Sequence, residues 1–355
     1  QYAKTYYEKS LNLRLDHFGK DYSSNGALYN NLGVLYDDVG DHKRAIEYKV
    51  HALSIYLDQF GHNHPKTAMV YNNIGVSYDQ KGDHDEALRY FNQALQLRLN
   101  LLKSDHPDIL GSYNNIGLCY YGKGEYNKAL NYLSKALEIR EEIFKNDVPD
   151  IARSYTNIGL LYYKKKNYPL ALKNFKTSED KWSTIFDKNH PRLAIAHRQI
   201  GQVYQKQNKY TDAVHEYQEA LKDLNYKGID SLGLVNDLNQ LIETLNVFAD
   251  VNIELYKHKS SIKYLTQSLN TNSETIFIID NILDEFSLDS RLLTQKLRKA
   301  IIEDIIYANK ILHQKSDESS FLEDAFLYAE RSKSLVFYQS LQESDALKFA
   351  GVPDS

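Results

Sequence analysis

Small and apolar residues recur along this chain at a fixed interval of 42 positions. In each interval a tyrosine follows a glycine by three positions and an alanine follows it by twelve, with a further small residue two helical turns later. Small residues allow two helices to approach closely, so each interval is predicted to form one pair of packed helices. The glycines are Gly33, Gly75, Gly117, Gly159 and Gly201, and the alanines are Ala45, Ala87, Ala129, Ala171 and Ala213.

Helix boundaries are marked in the same register. A proline stands ten positions before four of the five glycines, where a missing N–H is harmless in the first turn of a helix. A second glycine follows in three intervals, and a lysine or an asparagine replaces it in the other two; glycine and asparagine tolerate the left-handed backbone that ends a helix. The prolines are Pro65, Pro107, Pro149 and Pro191, and the end positions are Gly40, Gly82, Gly124, Lys166 and Asn208.

Two segments carry a family resemblance. Residues 72–75 read Asn-Asn-Ile-Gly, and residues 86–90 read Glu-Ala-Leu-Arg-Tyr. With their copies in the other intervals, they resemble the tetratricopeptide repeat in its 42-residue form, as found in kinesin light chains and in prokaryotic signalling proteins. The resemblance implies an all-α fold: a right-handed α-solenoid, or superhelix, of antiparallel helix pairs with a concave inner wall and atypical capping helices at the C-terminal end.

The period divides the chain into three predicted parts. Residues 1–24 match the second half of a truncated repeat, and residues 25–235 hold five 42-residue units. Residues 236–355 lose the period but keep amphipathic helical patterning, which indicates degenerate repeat-like helices leading to an absent C-terminal domain. The segment Thr271–Ser290 fits either an irregular helix or a hinge.

The last 31 residues carry a second resemblance. The segments Ala325–Lys333, Leu341–Asp345 and Phe349–Ser355 look like the junction that precedes a CHAT domain, a caspase-like cysteine protease fused to tetratricopeptide arrays in bacteria. This implies a bacterial sensor array that regulates a protease in cis. No catalytic residues are nominated within the chain itself, because Cys119 falls on a packed helix and is predicted to be a core thiol. A stand-alone adaptor of the kinesin light-chain type, with no enzyme in cis, is the alternative.

Candidate binding residues lie on the first helix of each pair. Asparagine or glutamine stands two positions before each glycine, where an amide can grip a peptide backbone in the groove or join neighbouring helices; the pattern leaves both open. Positions four and five beyond the glycine change from acidic to aromatic to basic along the array, which would orient a partner or form a solvated face. The predicted groove residues are Asn31, Asn73, Asn115, Asn157, Gln199, Asp37, Asp79, Tyr121, Tyr163, Lys164 and Lys206.

Composition and charge narrow the possible partners, location and cofactors of the protein. With a net charge of -4, the chain lacks the overall positive field that draws proteins to phosphate backbones, so nucleic acid is disfavoured as a partner. A subunit of an RNA-guided assembly is therefore a third, weaker hypothesis. No apolar run is long enough to span a membrane. The single cysteine suits the reducing cytoplasm. Repeated His64, His106 and His190 stand too far apart for a shared metal, so neither a metal nor a cofactor is predicted.

Overall fold

The computed structural model describes residues 25–282, 288–316 and 318–330, with isolated positions 6, 7, 9–11, 13 and 17. These residues form α-helices and one 3₁₀ turn, and the described part of the chain contains no β-strand. The all-α class and the stacked helix pairs of an α-solenoid are therefore confirmed. Compact packing divides the chain into an N-terminal unit, Gln1–Lys181, and a C-terminal unit, Trp182–Ser355.

Four helix pairs begin in the N-terminal unit. They are α1 (Asn25–Asp38) with α2 (His42–Phe60), α3 (Pro65–Gln80) with α4 (His84–Leu101), α5 (Pro107–Gly122) with α6 (Tyr126–Ile143), and α7 (Val148–Lys164) with α8 (Tyr168–Ser183).

The recurring glycines lie where the two helices of a pair touch. A Cβ added to Gly75 would stand 2.7 Å from the ring of Phe91, and one added to Gly117 would stand 2.7 Å from Cγ of Leu133. Such distances are below any real Cβ contact, so a side chain here would push the helices apart. The packing role that the sequence predicts for these glycines is confirmed.

Tyrosine rings pack between the two helices of the same pairs. Tyr78 of α3 stacks on Tyr90 of α4 with ring centroids 5.5 Å apart, and Tyr71 lies 6.1 Å from the same ring. The arrangement recurs in the pairs before and after. Each offset aromatic contact contributes about 1 kcal/mol of stability beyond what the burial of its apolar area contributes. The equivalent triads are Tyr29, Tyr36 and Tyr48, and Tyr113, Tyr120 and Tyr132.

Helix ends follow the predicted signals. Pro65, Pro107 and Pro191 each occupy the first position of their helix. The terminating glycines have positive φ angles, from 77° at Gly124 to 85° at Gly82. Lys166 and Asn208 adopt the same left-handed backbone, with φ angles of 58° and 59°.

The C-terminal unit begins with a fifth pair and continues with longer helices. Its elements are α9 (Pro191–Lys206), α10 (Tyr210–Asp223), a 3₁₀ turn (Ile229–Leu234), α11 (Leu238–Lys259), α12 (Ile262–Ile282) and α13 (Leu288–Ser316). A core that includes Leu241, Ile279 and Ile301 joins α11, α12 and α13. Residues 271–282 belong to the regular helix α12, whereas 283–287 lie outside the described residues.

The predicted segments at the two ends of the chain lie mostly outside the described residues. Residues 319–330 are helical and include the start of the protease-junction resemblance, but residues 331–355 lie outside the described residues, as do most of residues 1–24. Among the helices that the structure describes, none combines the length and the apolar character needed to cross a membrane.

Candidate functional site

The repeated asparagines join consecutive helix pairs. Nδ2 of Asn73 donates to Oδ1 of Asn30 at 2.9 Å, and Nδ2 of Asn115 donates to Oδ1 of Asn72 at 3.1 Å. A third bond, of 3.3 Å, runs from Asn157 to Asn114. We call these three bonds the asparagine ladder. Of the two roles that the sequence leaves open for this column, the helix-to-helix bond is present, while each donor amide keeps a second N–H and a carbonyl oxygen.

An accessible row of side chains on the first helices of the N-terminal unit includes the three donor asparagines of the ladder. Asn31 is exposed, and Asn73, Asn115 and Asn157 are half-buried. Three positions after each of them, on the same helix face, stands an apolar residue. We call these eight residues the amide-apolar row. Val34 is 40% exposed and the other three apolar members are half-buried. The apolar members are Val34, Val76, Leu118 and Leu160.

Asp37 has a different environment from the one that the sequence suggested. It is buried, and the ammonium of Lys49 binds its carboxylate. Ser77 Oγ donates to the same oxygen at 2.8 Å, and His42 lies 3.1 Å from the other. Lys49 is itself buried, and burial lowers the pKa of its ammonium, opposed by the Asp37 charge. Protein groups therefore occupy this carboxylate.

Asp79 holds the equivalent position in the second pair. It is half-buried at the end of α3, and its Oδ1 lies 2.8 Å from Nδ1 of His84.

The remaining predicted residues divide by exposure. Tyr121 and Tyr163 are half-buried against Tyr126 and Tyr168, and burial raises the pKa of both hydroxyls. Lys164 of the N-terminal unit is exposed at the end of α7. In the C-terminal unit Lys206 is exposed at the end of α9, whereas Gln199 is buried.

Buried arginines between helix pairs were not singled out from the sequence. Nη1 of Arg98 donates to Oγ of Ser112 at 2.7 Å, and Nη1 of Arg140 donates to Oγ of Ser154 at 2.9 Å. Burial lowers the pKa of both guanidinium groups. Each serine follows its arginine by 14 positions, and this spacing is the signal that could have revealed the contact.

The histidines beside the prolines act as helix caps. Nδ1 of His64 accepts a hydrogen bond from the backbone N–H of Lys66 at 3.2 Å, and Nδ1 of His106 accepts one from Asp108 at 3.1 Å. His190 caps α9 in the same way. Their recurrence therefore has a local cause, because the first N–H groups of a helix need acceptors.

Comparison with known proteins identifies the repeat. The family model described as "Tetratricopeptide repeat" matches residues 26–100, 80–142 and 150–224. No curated protein sequence matches the chain.

Solved structures share the fold at low sequence identity. The TPR-like repeats of a candidate kinesin light chain from Podosopora anserina are 17% identical, with 57% of this chain and 96% of that chain covered and a TM-score of 0.50. Apo RapI is 15% identical, with 95% and 80% covered and a TM-score of 0.57. A signal transduction ATPase with numerous domains and a tetratricopeptide repeat sensor, from Pyrococcus horikoshii, is 14% identical, with 94% and 48% covered and a TM-score of 0.64. These likenesses concern the fold.

Proposed function

Because the chain belongs to the tetratricopeptide repeat family, we propose that its N-terminal unit is a scaffold or sensor that binds an extended protein segment along the amide-apolar row. The observation that carries the proposal is the regular alternation of accessible amides and partly exposed apolar side chains on successive first helices. An amide can pair with a peptide backbone of any sequence, and an apolar neighbour can accept a partner's side chain.

The proposed surface uses the predicted residues that keep accessible atoms. In the N-terminal unit these are Asn31, Asn73, Asn115, Asn157, Asp79, Tyr121, Tyr163 and Lys164. Asp37 and Gln199 are left out because both are buried. Lys206 would serve a corresponding surface of the C-terminal unit.

Peptide selection tests the proposal even though the natural partner is unidentified. A random-peptide phage library is selected on the intact chain, and the recovered peptides are titrated by fluorescence anisotropy against the parent and two variants. Leu118→Glu places a charge in the row, and Leu99→Glu places the same charge at a 37% exposed site on the second helix α4.

We expect Leu118→Glu to weaken binding at least about tenfold and Leu99→Glu to leave it unchanged, since a charge is costly to bury against an apolar partner group. Thermal melts show whether both variants keep the fold. Peptides that lose affinity only with Leu99→Glu would move the binding surface to the second helices and contradict the proposal.

We further propose that the parent protein is bacterial and cytoplasmic, and that partner binding controls a CHAT-type protease following this chain. The support is the sequence resemblance in residues 325–355 and the single, buried Cys119, which suits a reducing compartment. On this proposal catalysis belongs to the protease domain of the longer protein and not to this chain, because tetratricopeptide helices are typically non-catalytic.

Sequencing the reading frame downstream of Ser355 tests this regulatory role. A following domain with a histidine and a cysteine in caspase-like order supports it. A stop codon within a few residues favours the adaptor of kinesin light-chain type, which would carry partners with no enzyme in cis.

A further inference from the structure

Three side chains with metal-binding atoms meet between the second and third helix pairs. Asp79 lies in the last turn of α3, His84 is the first residue of α4 and Cys119 lies on α5. One ligand atom from each falls within 4.8 Å of the other two. Nδ1 of His84 stands 2.8 Å from Oδ1 of Asp79, and Sγ of Cys119 donates to the backbone oxygen of His84 at 3.4 Å. We call this group the Asp-His-Cys cluster.

The same cluster occurs one repeat earlier with a built-in cation. Subtracting 42 from each number gives Asp37, His42 and Ser77, and these residues also meet. There the ammonium of Lys49 binds the Asp37 carboxylate and lies 2.8 Å from Oγ of Ser77. The repeat geometry therefore places a positive charge in contact with both the carboxylate and the residue at the Ser77 position, which also hydrogen-bond to each other.

The second cluster differs in two respects. Phe91 stands where Lys49 would be, and its ring packs on Gly75, so it brings no positive charge. Cys119 replaces the serine, which exchanges a hydroxyl for a potential thiolate. The described residues give Asp79 one ion-pair partner, His84. The second cluster thus keeps the carboxylate, lacks the lysine ammonium and has a thiol in place of the hydroxyl, and a thiolate is a better metal ligand than a hydroxyl.

We propose that Asp79, His84 and Cys119 bind a zinc-class divalent ion that clamps the second helix pair to the third. A carboxylate oxygen, an imidazole nitrogen and a thiolate sulfur are ligands of Zn²⁺, whereas Mg²⁺ and Ca²⁺ prefer oxygen alone. Three protein ligands leave a fourth position for water or for a partner's side chain. Cys119 releases its proton to the solvent when the ion binds.

Access and space fit this assignment. The side chains of Asp79 and His84 are 30% and 28% exposed, so an ion can reach them, while the buried Cys119 closes the inner side. Gly122 leaves room for the His84 ring, because a Cβ at that position would lie only 2.8 Å from Cε1 of the ring. Ligand bonds of about 2.0–2.3 Å require small side-chain rotations that break the Asp79–His84 hydrogen bond.

Cobalt spectroscopy tests the site on the intact chain in the absence of any partner peptide, so its result is separate from the proposed function. The chain is stripped with a chelator, kept reduced and titrated with Co²⁺, and Zn²⁺ is then added as a competitor. We expect one equivalent of Co²⁺ to give a thiolate-to-cobalt charge-transfer band that Zn²⁺ removes, and Zn²⁺ to raise the unfolding temperature.

Cys119→Ser is the decisive variant, because the equivalent Ser77 shows that the repeat accepts serine here. It should abolish the band and weaken Zn²⁺ binding at least about 100-fold, and His84→Ala should weaken it at least about tenfold. His106→Gln, at an exposed helix cap, is the control and should bind like the parent. Absence of the band at saturating Co²⁺, or its full retention in Cys119→Ser, overturns the proposal.

Discussion

Asn73 and Asn30 lie 43 positions apart, and the side-chain amide of Asn73 donates a 2.9 Å hydrogen bond to the carbonyl oxygen of Asn30. The bond crosses from α3 to α1, so it links two helix pairs through a residue type that helices otherwise disfavour. Repetition of the bond at Asn115 and Asn157 makes it a fixed part of the stacking. The same amides therefore serve the fold before they serve any partner.

A double-mutant cycle on this pair measures the ladder. Asn73→Ala leaves the Asn30 carbonyl without its donor and should lower the free energy of unfolding by about 1–2 kcal/mol. Asn30→Ala together with Asn73→Ala should cost less than the sum of the single changes, with a coupling of about 1 kcal/mol. Urea unfolding followed by circular dichroism gives the values. The exposed Asn31→Ala is the control, and additive single changes would show that the bond contributes nothing.

Lys49 should be one of the most sensitive positions in the first pair. Lys49→Met removes the ammonium and leaves Asp37 as a buried charge, which should cost about 3–5 kcal/mol. Lys49→Met with Asp37→Asn should recover part of that loss, since the buried charge is then gone. Thermal and urea unfolding of the unmodified chain and the two variants test this. A double variant less stable than Lys49→Met alone would contradict the explanation.

Two glycines in helix α5 provide a matched comparison. Gly117→Ala places a Cβ 2.7 Å from Leu133 and should destabilise the fold by about 1–3 kcal/mol. Gly111→Ala has nothing within 4 Å of the new Cβ and should stabilise it by about 0.5–1 kcal/mol, because alanine is the better helix former. Equal effects at both sites, measured by denaturant unfolding, would remove close packing as the reason for Gly117.

The C-terminal unit should lose stability as the pH rises through mildly acidic values. Burial, and then the charges of Asp304 and Glu254, raise the pKa of Asp250 from 3.8 to about 6. A folded-state pKa above the unfolded value gives a contribution that is complete below pH 3.8 and lost as the pH passes about 6.

Asp250→Asn tests this pH dependence. It should raise the free energy of unfolding at pH 7.5 relative to the parent by about 3 kcal/mol and change it little near pH 4. Fluorescence of Trp182, the single tryptophan, follows the unfolding, because its ring stacks on Phe186 of this unit at a centroid distance of 5.6 Å. The exposed Glu323→Gln is the control, and an unchanged pH profile in Asp250→Asn would assign the dependence to other groups.

Most of the fold was accessible from the sequence because its determinants are local. Pro65 favours the start of a helix because its fixed φ angle and missing N–H suit the first turn. Gly82 ends a helix through its own positive φ angle, and Gly75 marks a close contact between the two helices of one pair. A 42-residue period repeats these signals, so each copy supports the others. Position in the repeat also gave the burial of Cys119 correctly.

The contacts of the polar residues, by contrast, became known from the packed structure alone. The sequence placed Asp37 in a groove, whereas Lys49 and Ser77, from two other helices, surround it. It left the role of Asn73 open and gave no sign that Asp79, His84 and Cys119 meet. A helix pair is specified by its own residues, but a polar side chain between pairs finds its partner on a helix of the neighbouring pair, as Asn73 does on α1. That partner depends on how the neighbouring pair is stacked and rotated, which no local pattern encodes.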